Sequence, residues 1–282
     1  MNNFIVRTIT SVFFVAAIVT SFLNPQAMTL LFAIVTGMTV WEFAGLVNDR
    51  PGVTVNRFIT TVAGVYLFLA MAGYNSGLTP ASVFVPYLVS IVYLMVAELY
   101  LKAEDPIHDW AYTMLSQLYI ALPLSLLNVL AYRSNGYDIQ YSYLAPLAVF
   151  VFLWMNDAGA YCVGSLLGRH KLFPRISPGK SWEGSVGGGV LVCVVAALVW
   201  YYTEQYGVND LGLSAVEWMG LGLVVVVFGT WGDLIESLFK RTIGIKDSGN
   251  ILPGHGGMLD RFDSTLMAVP ASVVYLYTLT LF

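Results

Sequence analysis

The amino-acid sequence predicts an all-α integral membrane protein that crosses the bilayer about nine times. Of its 282 residues, 57% are hydrophobic and only 11% are charged, and the mean hydropathy is +0.73. A water-soluble domain of this composition could not cover its apolar side chains with a polar surface. In addition, apolar stretches of roughly 20 residues, the length that a helix needs to span the hydrocarbon layer, recur along the whole chain. A soluble globular protein is therefore excluded.

Turn-forming sequences separate the apolar stretches, among them Asn24-Pro25, NDRPG, GYNSGLTP and YGVNDLG. They divide the chain into an N-terminal region of five spans, residues 1–141, and a C-terminal region, residues 142–282, with two long loops at 165–184 and 241–261. The predicted spans are 4–23, 26–47, 57–74, 81–101, 110–131, 142–164, 185–204, 217–240 and 262–282.

The positions of lysine and arginine predict the orientation, because these residues concentrate on the cytoplasmic side of membrane proteins. With the N-terminus in the cytoplasm, 12 of the 13 basic residues lie at cytoplasmic helix ends or loops, and only Arg133 lies outside. One missing or additional helix in the middle of the chain would destroy this sorting. We therefore predict a cytoplasmic N-terminus, an external C-terminus and two cytoplasmic loops. The chain has no basic run and a pI of 5.3, which gives no indication of nucleic-acid binding.

Acidic residues inside the spans are the first candidates for function, since carboxylates are costly in a membrane. Each lies in the cytoplasmic half of its predicted span: Glu42, Glu98, Asp157, Asp233 and Glu236. Asp233, Glu236, Ser237 and Lys240 have the spacing of one helix face, and Asp260 and Asp263 are three residues apart where the last span begins. Two helices that present carboxylates to each other suit Mg²⁺, which prefers a few carboxylates together with water and phosphate oxygens. Paired or snorkelling charges at the membrane interface remain the alternative, above all for Glu42 and Glu98.

Both cytoplasmic loops combine glycines with cations. In ILPGHGGMLD, Pro253-Gly254 suits a type II turn, and the loop amides around Gly256 and Gly257 can face phosphate oxygens, with His255 as a donor or acid. The other loop contributes Ser177 and Lys180. Its glycines 184 and 187–189 are predicted to pack closely on a neighbouring helix, with close approach to a ligand as the alternative. A basic surface that attracts anionic lipid is the alternative for such loops. The cations in or beside the glycine loop at 241–261 are Lys240, Arg241, Lys246 and Arg261.

These motifs together resemble the signature of the phosphatidate cytidylyltransferases, or CDP-diacylglycerol synthases. The signature runs from Ser237 through Lys240-Arg241 and Lys246-Asp247 to PGHGG (253–257) and Asp260-Arg261-x-Asp263. The resemblance includes NDAGAY (156–161), SPGKSWEG (177–184) and GDLIESLFKR (232–241). The N-terminal half is similar to that family only in having several spans.

The resemblance implies the reaction of CTP with phosphatidic acid to give CDP-diacylglycerol and pyrophosphate. It implies Mg²⁺ as the cofactor, together with a monovalent cation such as K⁺. It also suggests a homodimer in the cytoplasmic (inner) membrane, with a catalytic C-terminal region that faces the cytoplasm. The metal ligands would be Asp233 and Asp260, with Asp247 and Asp263 as further candidates. Asp157, an acid within a span, is our own additional candidate, either as a ligand or as a neighbour of the ligands. The catalytic cations and acid would be Lys240, Arg241, Lys246, His255 and Arg261, and the substrate-binding residues Ser177, Lys180, Ser237, Gly254, Gly256 and Gly257.

Two other functions remain open at this point. A CTP-dependent polyprenol or dolichol kinase would transfer the γ-phosphate of CTP and release CDP. A cation-coupled transporter would also account for acids within spans, but not for two basic loops on one face of the membrane. The chain also lacks the internal repeat from which many transporters are built.

Overall fold

The computed structural model describes residues 3–134, 138–249, 251 and 256–279. Across these residues the chain forms nine helical segments, which confirms the all-α fold class. They are α1 (Asn3–Phe22), α2 (Pro25–Asn48), α3 (Arg57–Asn75), α4 (Ala81–Leu101), α5 (Pro106–Ala131), α6 (Leu144–Leu167), α7 (Trp182–Gln205), α8 (Ala215–Thr242) and α9 (Leu259–Leu279). Two short hairpins complete the fold: β1 (Tyr132–Ser134) with β2 (Ile139–Tyr141), and β3 (Lys171–Phe173) with β4 (Ser177–Ser181).

Two of the helices are irregular. A 3₁₀ turn, Ala81–Phe84, opens α4. The fifth helix runs as Pro106–Ser116, a π-helical turn at Gln117–Ala121, and two short segments, Leu122–Ser125 and Leu127–Ala131. Pro123 accompanies this change in helical geometry, as expected for a residue that cannot donate a backbone hydrogen bond.

Helices α2 to α9 are each long and apolar enough to cross a membrane, and α1 contains a shorter apolar stretch, Thr8–Phe22. The length and composition of these helices indicate a multi-pass membrane protein. Each predicted span coincides with one helix, with boundaries that differ by a few residues. The number of crossings and the orientation stay predictions.

Polar residues at the predicted breaks begin several helices. The Asn24 side chain accepts hydrogen bonds from the amides of Gln26 (2.9 Å) and Ala27 (3.0 Å) at the start of α2. Ser214 and Glu217 form a capping box on α8. Such caps satisfy amides that have no partner within the helix, and each typically contributes about 1 kcal/mol. The sequence breaks are therefore helix starts as well as helix ends.

The chain divides into two compact units. The first contains Met1–Tyr141 with Ile245–Phe262, and the second contains Ser142–Gly244 with Asp263–Phe282. The boundary after residue 141 is also where the predicted N-terminal region ends, but the segment Ile245–Phe262 groups with the first unit. In that unit the buried Phe32 contacts the rings of Phe22 (centroids 5.2 Å apart) and Phe262 (6.2 Å).

In the second unit, glycines bring α6 and α7 into close contact. A β-carbon placed on Gly159 would lie 3.0 Å from the Gly188 Cα, and one on Gly184 would lie 2.8 Å from the Ala160 carbonyl oxygen. A β-carbon on Gly187 would collide with Val163. This confirms the predicted close packing at these glycines, whereas Gly189 has only an ordinary contact with Val226 at 3.8 Å. The small residues allow the two backbones to approach, as is common between membrane helices.

Candidate functional site

A cavity of about 440 Å³ lies within the second unit, between α6, the β3–β4 hairpin, α7 and α8. This volume falls in the usual range for small-molecule sites. Its charged lining residues are Asp157 on α6, Lys180 on β4 and Asp233 on α8. The cavity therefore joins three of the residues that the sequence predicts for metal or substrate binding.

Lys180 and Asp233 form an ion pair in this cavity, with the Lys180 Nζ 2.5 Å from the Asp233 Oδ2. The two side chains are 26% and 30% exposed, so a ligand that enters the cavity has access to both. The Ser237 hydroxyl donates to the Asp233 Oδ1 at 3.2 Å, which confirms the predicted shared face of these two residues. Lys180 owes its position to the hairpin, which leads directly into the Ser181 N-cap of α7.

Asp263 adds a third carboxyl group to the same cluster. It interacts electrostatically with Asp233, Lys180 and Asp157, and its own Oδ1 accepts a hydrogen bond from the Ser264 amide at 2.5 Å. Three carboxyl groups against one ammonium favour a cation as a ligand. Among the described residues, however, no group of three His, Cys, Asp or Glu side chains has an arrangement that could hold a metal ion.

Lys240, predicted to contact phosphate, is held by a buried partner. Its Nζ lies 2.6 Å from the Glu236 Oε2, where Glu236 is fully buried and Lys240 is 12% exposed. A buried carboxylate needs such a counter-charge. In addition, a cation in the last turn of a helix interacts favourably with the negative end of the helix dipole. Arg241, the next residue, is exposed. The structure thus gives Lys240 a role in α8 itself, and its contact with phosphate stays a prediction.

Asp260 lies in the first unit, at the start of α9. Its Oδ2 accepts hydrogen bonds from the backbone amides of Ser248 and Gly257, both at 2.8 Å. It also lies 3.0 Å from the Ser248 hydroxyl. The side chains of Lys246, Asp247 and Arg261, all in the first unit, are exposed.

Ser177, predicted to bind substrate, lies in β4 of the second unit and is partly buried.

The glycine loop is described only in part. Pro253, Gly254 and His255, and with them the predicted turn, lie outside the described residues. Gly256 has a φ of +80°, in the left-handed region that glycine adopts without strain. The Gly257 amide, predicted to face phosphate, donates to Asp260.

Two carboxylates that the sequence left without a specific role turn out to hold loops. Glu183 accepts hydrogen bonds from the amides of Arg169 and His170 at 3.2 Å, and its Oε1 lies 2.5 Å from the His170 Nδ1. Glu42 accepts hydrogen bonds from Ser248 and Met258, which precede α9, and from Leu259, its first residue. Neither partnership has a signal in local spacing, because the residues involved are 13 and more than 200 positions apart.

The helices define a polytopic membrane protein, and its second unit contains a cavity lined by charged side chains. A more specific assignment comes from comparison with known proteins, because the model of the cytidylyltransferase family matches residues 5–279. The protein therefore belongs to the cytidylyltransferase family. The match confirms the resemblance seen in the motifs and extends it into the N-terminal half.

Individual relatives agree with this assignment. The phosphatidate cytidylyltransferase of Haemophilus influenzae is 31% identical over 277 residues, which cover 94% of this chain and 95% of that protein. The phosphatidate cytidylyltransferase of Staphylococcus aureus (strain COL) is 30% identical over 266 residues, 94% of this chain and 96% of that protein. The one from Staphylococcus haemolyticus is 31% identical over 267 residues, with the same coverage.

Proposed function

We propose that this protein is a phosphatidate cytidylyltransferase, which transfers CMP from CTP to phosphatidic acid. The proposal is carried by the cavity in which Lys180 and Asp233 pair, in a chain that aligns over 94% of its length with relatives of that name. An ammonium group can bind a phosphate, and carboxylates beside it can bind a cation that the phosphate also contacts. The membrane helices account for a lipid substrate.

In the proposed reaction, a phosphate oxygen of phosphatidic acid attacks the α-phosphorus of CTP. A new phosphorus–oxygen bond forms, the bond from the α-phosphorus to the oxygen that bridges to the β-phosphate breaks, and pyrophosphate leaves with that oxygen. Both reactants are anions, so the protein has to neutralise charge and align the groups rather than supply a nucleophile.

We propose Mg²⁺ as the cofactor, because the donor atoms of the cluster fit it. Asp157, Asp233 and Asp263 offer carboxylate oxygens, and Mg²⁺ completes its coordination with water and substrate phosphates. When bound, the ion would neutralise phosphate charge and polarise the phosphoryl oxygen. The resemblance separately implies Asp260 and Asp247 as ligands, and K⁺ as a second cation.

The protein's own groups would prepare the site. Without substrate, Lys180 neutralises Asp233. When a phosphate enters the cavity, Lys180 can exchange the carboxylate for a phosphate oxygen, while the Ser237 hydroxyl keeps Asp233 oriented. Separately from this cavity, the resemblance assigns contacts with the triphosphate and pyrophosphate to the cations Lys240, Arg241, Lys246 and Arg261 and to His255. We propose that the site faces the cytoplasm at the inner membrane. There the lipid can reach it laterally from the bilayer, and CTP can reach it from water. We also propose that the protein is a homodimer.

The decisive test is an assay of the purified protein in lipid nanodiscs with phosphatidic acid and CTP, with label in either the α- or the γ-phosphate. We expect α-label in CDP-diacylglycerol, γ-label in pyrophosphate, and dependence on Mg²⁺. Transfer of γ-label to a polyprenol, with release of CDP, would establish the kinase instead. The matched inactive control is Asp233→Asn, which keeps the shape of the side chain but removes its charge.

A further inference from the structure

We propose that Glu42 is a positioning residue, whose carboxylate holds the start of α9 and thereby fixes Asp260. This proposal rests on the proposed function, because Asp260 is one of the residues that the resemblance assigns to metal binding. It goes beyond that function in giving a task to an acid of the N-terminal region. All the contacts involved lie within the first unit.

Both carboxylate oxygens of Glu42 are engaged by the segment around α9. Oε1 accepts from the Ser248 hydroxyl at 2.5 Å and from the Leu259 amide at 3.0 Å, and Oε2 accepts from the Met258 amide at 2.9 Å. Glu42 lies in the C-terminal third of α2 and is only 7% exposed. A buried carboxylate is costly unless donors satisfy it, and here three donors do so.

The amides of Met258 and Leu259 lie at the start of α9, where the first N–H groups of a helix have no partner within the helix. A carboxylate at this position accepts their hydrogen bonds and also interacts favourably with the positive end of the helix dipole. Glu42 therefore caps α9 from more than 200 residues away in the sequence. The start of α9 is thereby tied to α2 through the amides of Met258 and Leu259.

Ser248 connects Glu42 to Asp260. Its hydroxyl oxygen lies 2.5 Å from the Glu42 Oε1 and 3.0 Å from the Asp260 Oδ2, and it accepts a hydrogen bond from the Asp260 amide at 3.3 Å. Since a serine has one hydroxyl proton, the shorter contact assigns that proton to Glu42. The Ser248 backbone amide then holds Asp260 independently, at 2.8 Å.

Two glycines make the close approach of the backbone to Glu42 possible. A β-carbon on Gly249 would lie 2.7 Å from the Glu42 Oε2, and one on Gly257 would collide with both carboxylate oxygens. The same Gly257 donates its amide to Asp260. Gly249 and Gly257 thus allow the backbone to contact the buried Glu42 carboxylate, whether or not the segment also contacts a ligand.

The test compares Glu42→Gln, Glu42→Asp and Ser248→Ala with the wild-type protein in nanodiscs. Hydrogen exchange of the amides at 257–260 is measured by mass spectrometry, and kcat and KM for CTP are measured in parallel. In Glu42→Gln we expect exchange to accelerate about tenfold or more and kcat/KM to fall about 10- to 100-fold, the loss typical of a hydrogen bond to a charged group. Glu42→Asp keeps the charge and should retain more activity, and Ser248→Ala should disturb Asp260 while Met258 and Leu259 stay protected.

The matched control is Thr39→Val on the same helix. Thr39 is fully buried, and its hydroxyl donates only within α2, to the Val35 carbonyl at 2.8 Å. A purely structural effect of a buried substitution in α2 would appear in both variants, as less folded protein with unchanged kcat and exchange at 257–260. Wild-type exchange and wild-type kcat/KM in folded Glu42→Gln would overturn the proposal. The exchange measurement does not depend on activity, so an inactive wild-type protein would refute the proposed function while the exchange data still decide whether Glu42 holds α9.

Discussion

Gly232 of α8 lies against the backbone of Asp263 in α9, so closely that a β-carbon on Gly232 would be 2.5 Å from the Asp263 carbonyl oxygen. The residue after Gly232 is Asp233, which lines the cavity, and Asp263 interacts with Asp233 electrostatically. The absence of a side chain at position 232 therefore determines how near the two carboxyl groups stand.

Replacing Gly232 with alanine should separate these groups. Because the obstacle is backbone and not a flexible side chain, α8 and α9 have to move apart, and overpacking of this kind costs about 1–3 kcal/mol. We expect a lower midpoint of thermal unfolding in detergent and a loss of most cytidylyltransferase activity. Intrinsic fluorescence during heating and the CTP assay measure the two effects.

Gly189→Ala is the matched control for this substitution. Gly189 is also a buried helical glycine, but a β-carbon there would only make an ordinary contact, 3.8 Å from Val226. Since alanine favours a helix over glycine by about 1 kcal/mol, this variant should be as stable as the wild type or slightly more stable. Equal behaviour of the two variants would show that the contact at Gly232 has no special importance.

Because Lys180 and Asp233 form an ion pair, we predict that the effects of replacing them on kcat/KM are not additive. We expect Lys180→Gln and Asp233→Asn each to lower kcat/KM by about 100-fold or more, because each removes charge from the proposed phosphate and metal site. The double mutant should lose little beyond the more damaging single change, since residues that act as a unit are not additive. The measurement is a double-mutant cycle on kcat/KM for CTP.

Lys171→Gln provides the comparison for the lysine. Lys171 is exposed, belongs to the same hairpin and lies outside the lining of the cavity. Its replacement should change kcat/KM less than about threefold, as is usual for a surface charge. A loss as large as that of Lys180→Gln would mean that the whole basic hairpin, and not the cavity lysine, governs the reaction.

The carboxyl cluster predicts the response to metal. Chelation with EDTA should abolish activity, and added Mg²⁺ should restore it. Asp263→Asn should raise the Mg²⁺ concentration for half-maximal activity about tenfold or more, because it removes one of the three carboxyl groups in the cluster. Asp210→Asn, an exposed change in the loop before α8, should leave the Mg²⁺ dependence unaltered. An unaltered dependence in Asp263→Asn would exclude Asp263 from the metal site.

Local patterns in the sequence predicted much of this arrangement. Hydropathy located the helices, and the spacing from Asp233 to Ser237 predicted a contact that the structure contains. The engagement of Glu42 with Ser248 was not predictable, because it joins residues 206 positions apart. The His170–Glu183 pair was missed for the same reason on a smaller scale, since a β-hairpin folds back between them. Spacing reveals neighbours on one helix, whereas contacts between elements depend on packing.

The predicted orientation places residues 175 and 210 on opposite sides of the membrane, because α7 separates them. Single cysteines at these positions, in a protein from which Cys162 and Cys193 have been removed, test this with a membrane-impermeant thiol reagent. In intact cells we expect labelling at 210 and none at 175, and the reverse in inside-out vesicles. Labelling of both from the same side would contradict the number of spans, and labelling at 175 alone in intact cells would invert the orientation. An inverted protein would expose the basic loop and the opening sequence of α9 to the exterior, away from cytoplasmic CTP, so this result would also remove the proposed substrate from the site.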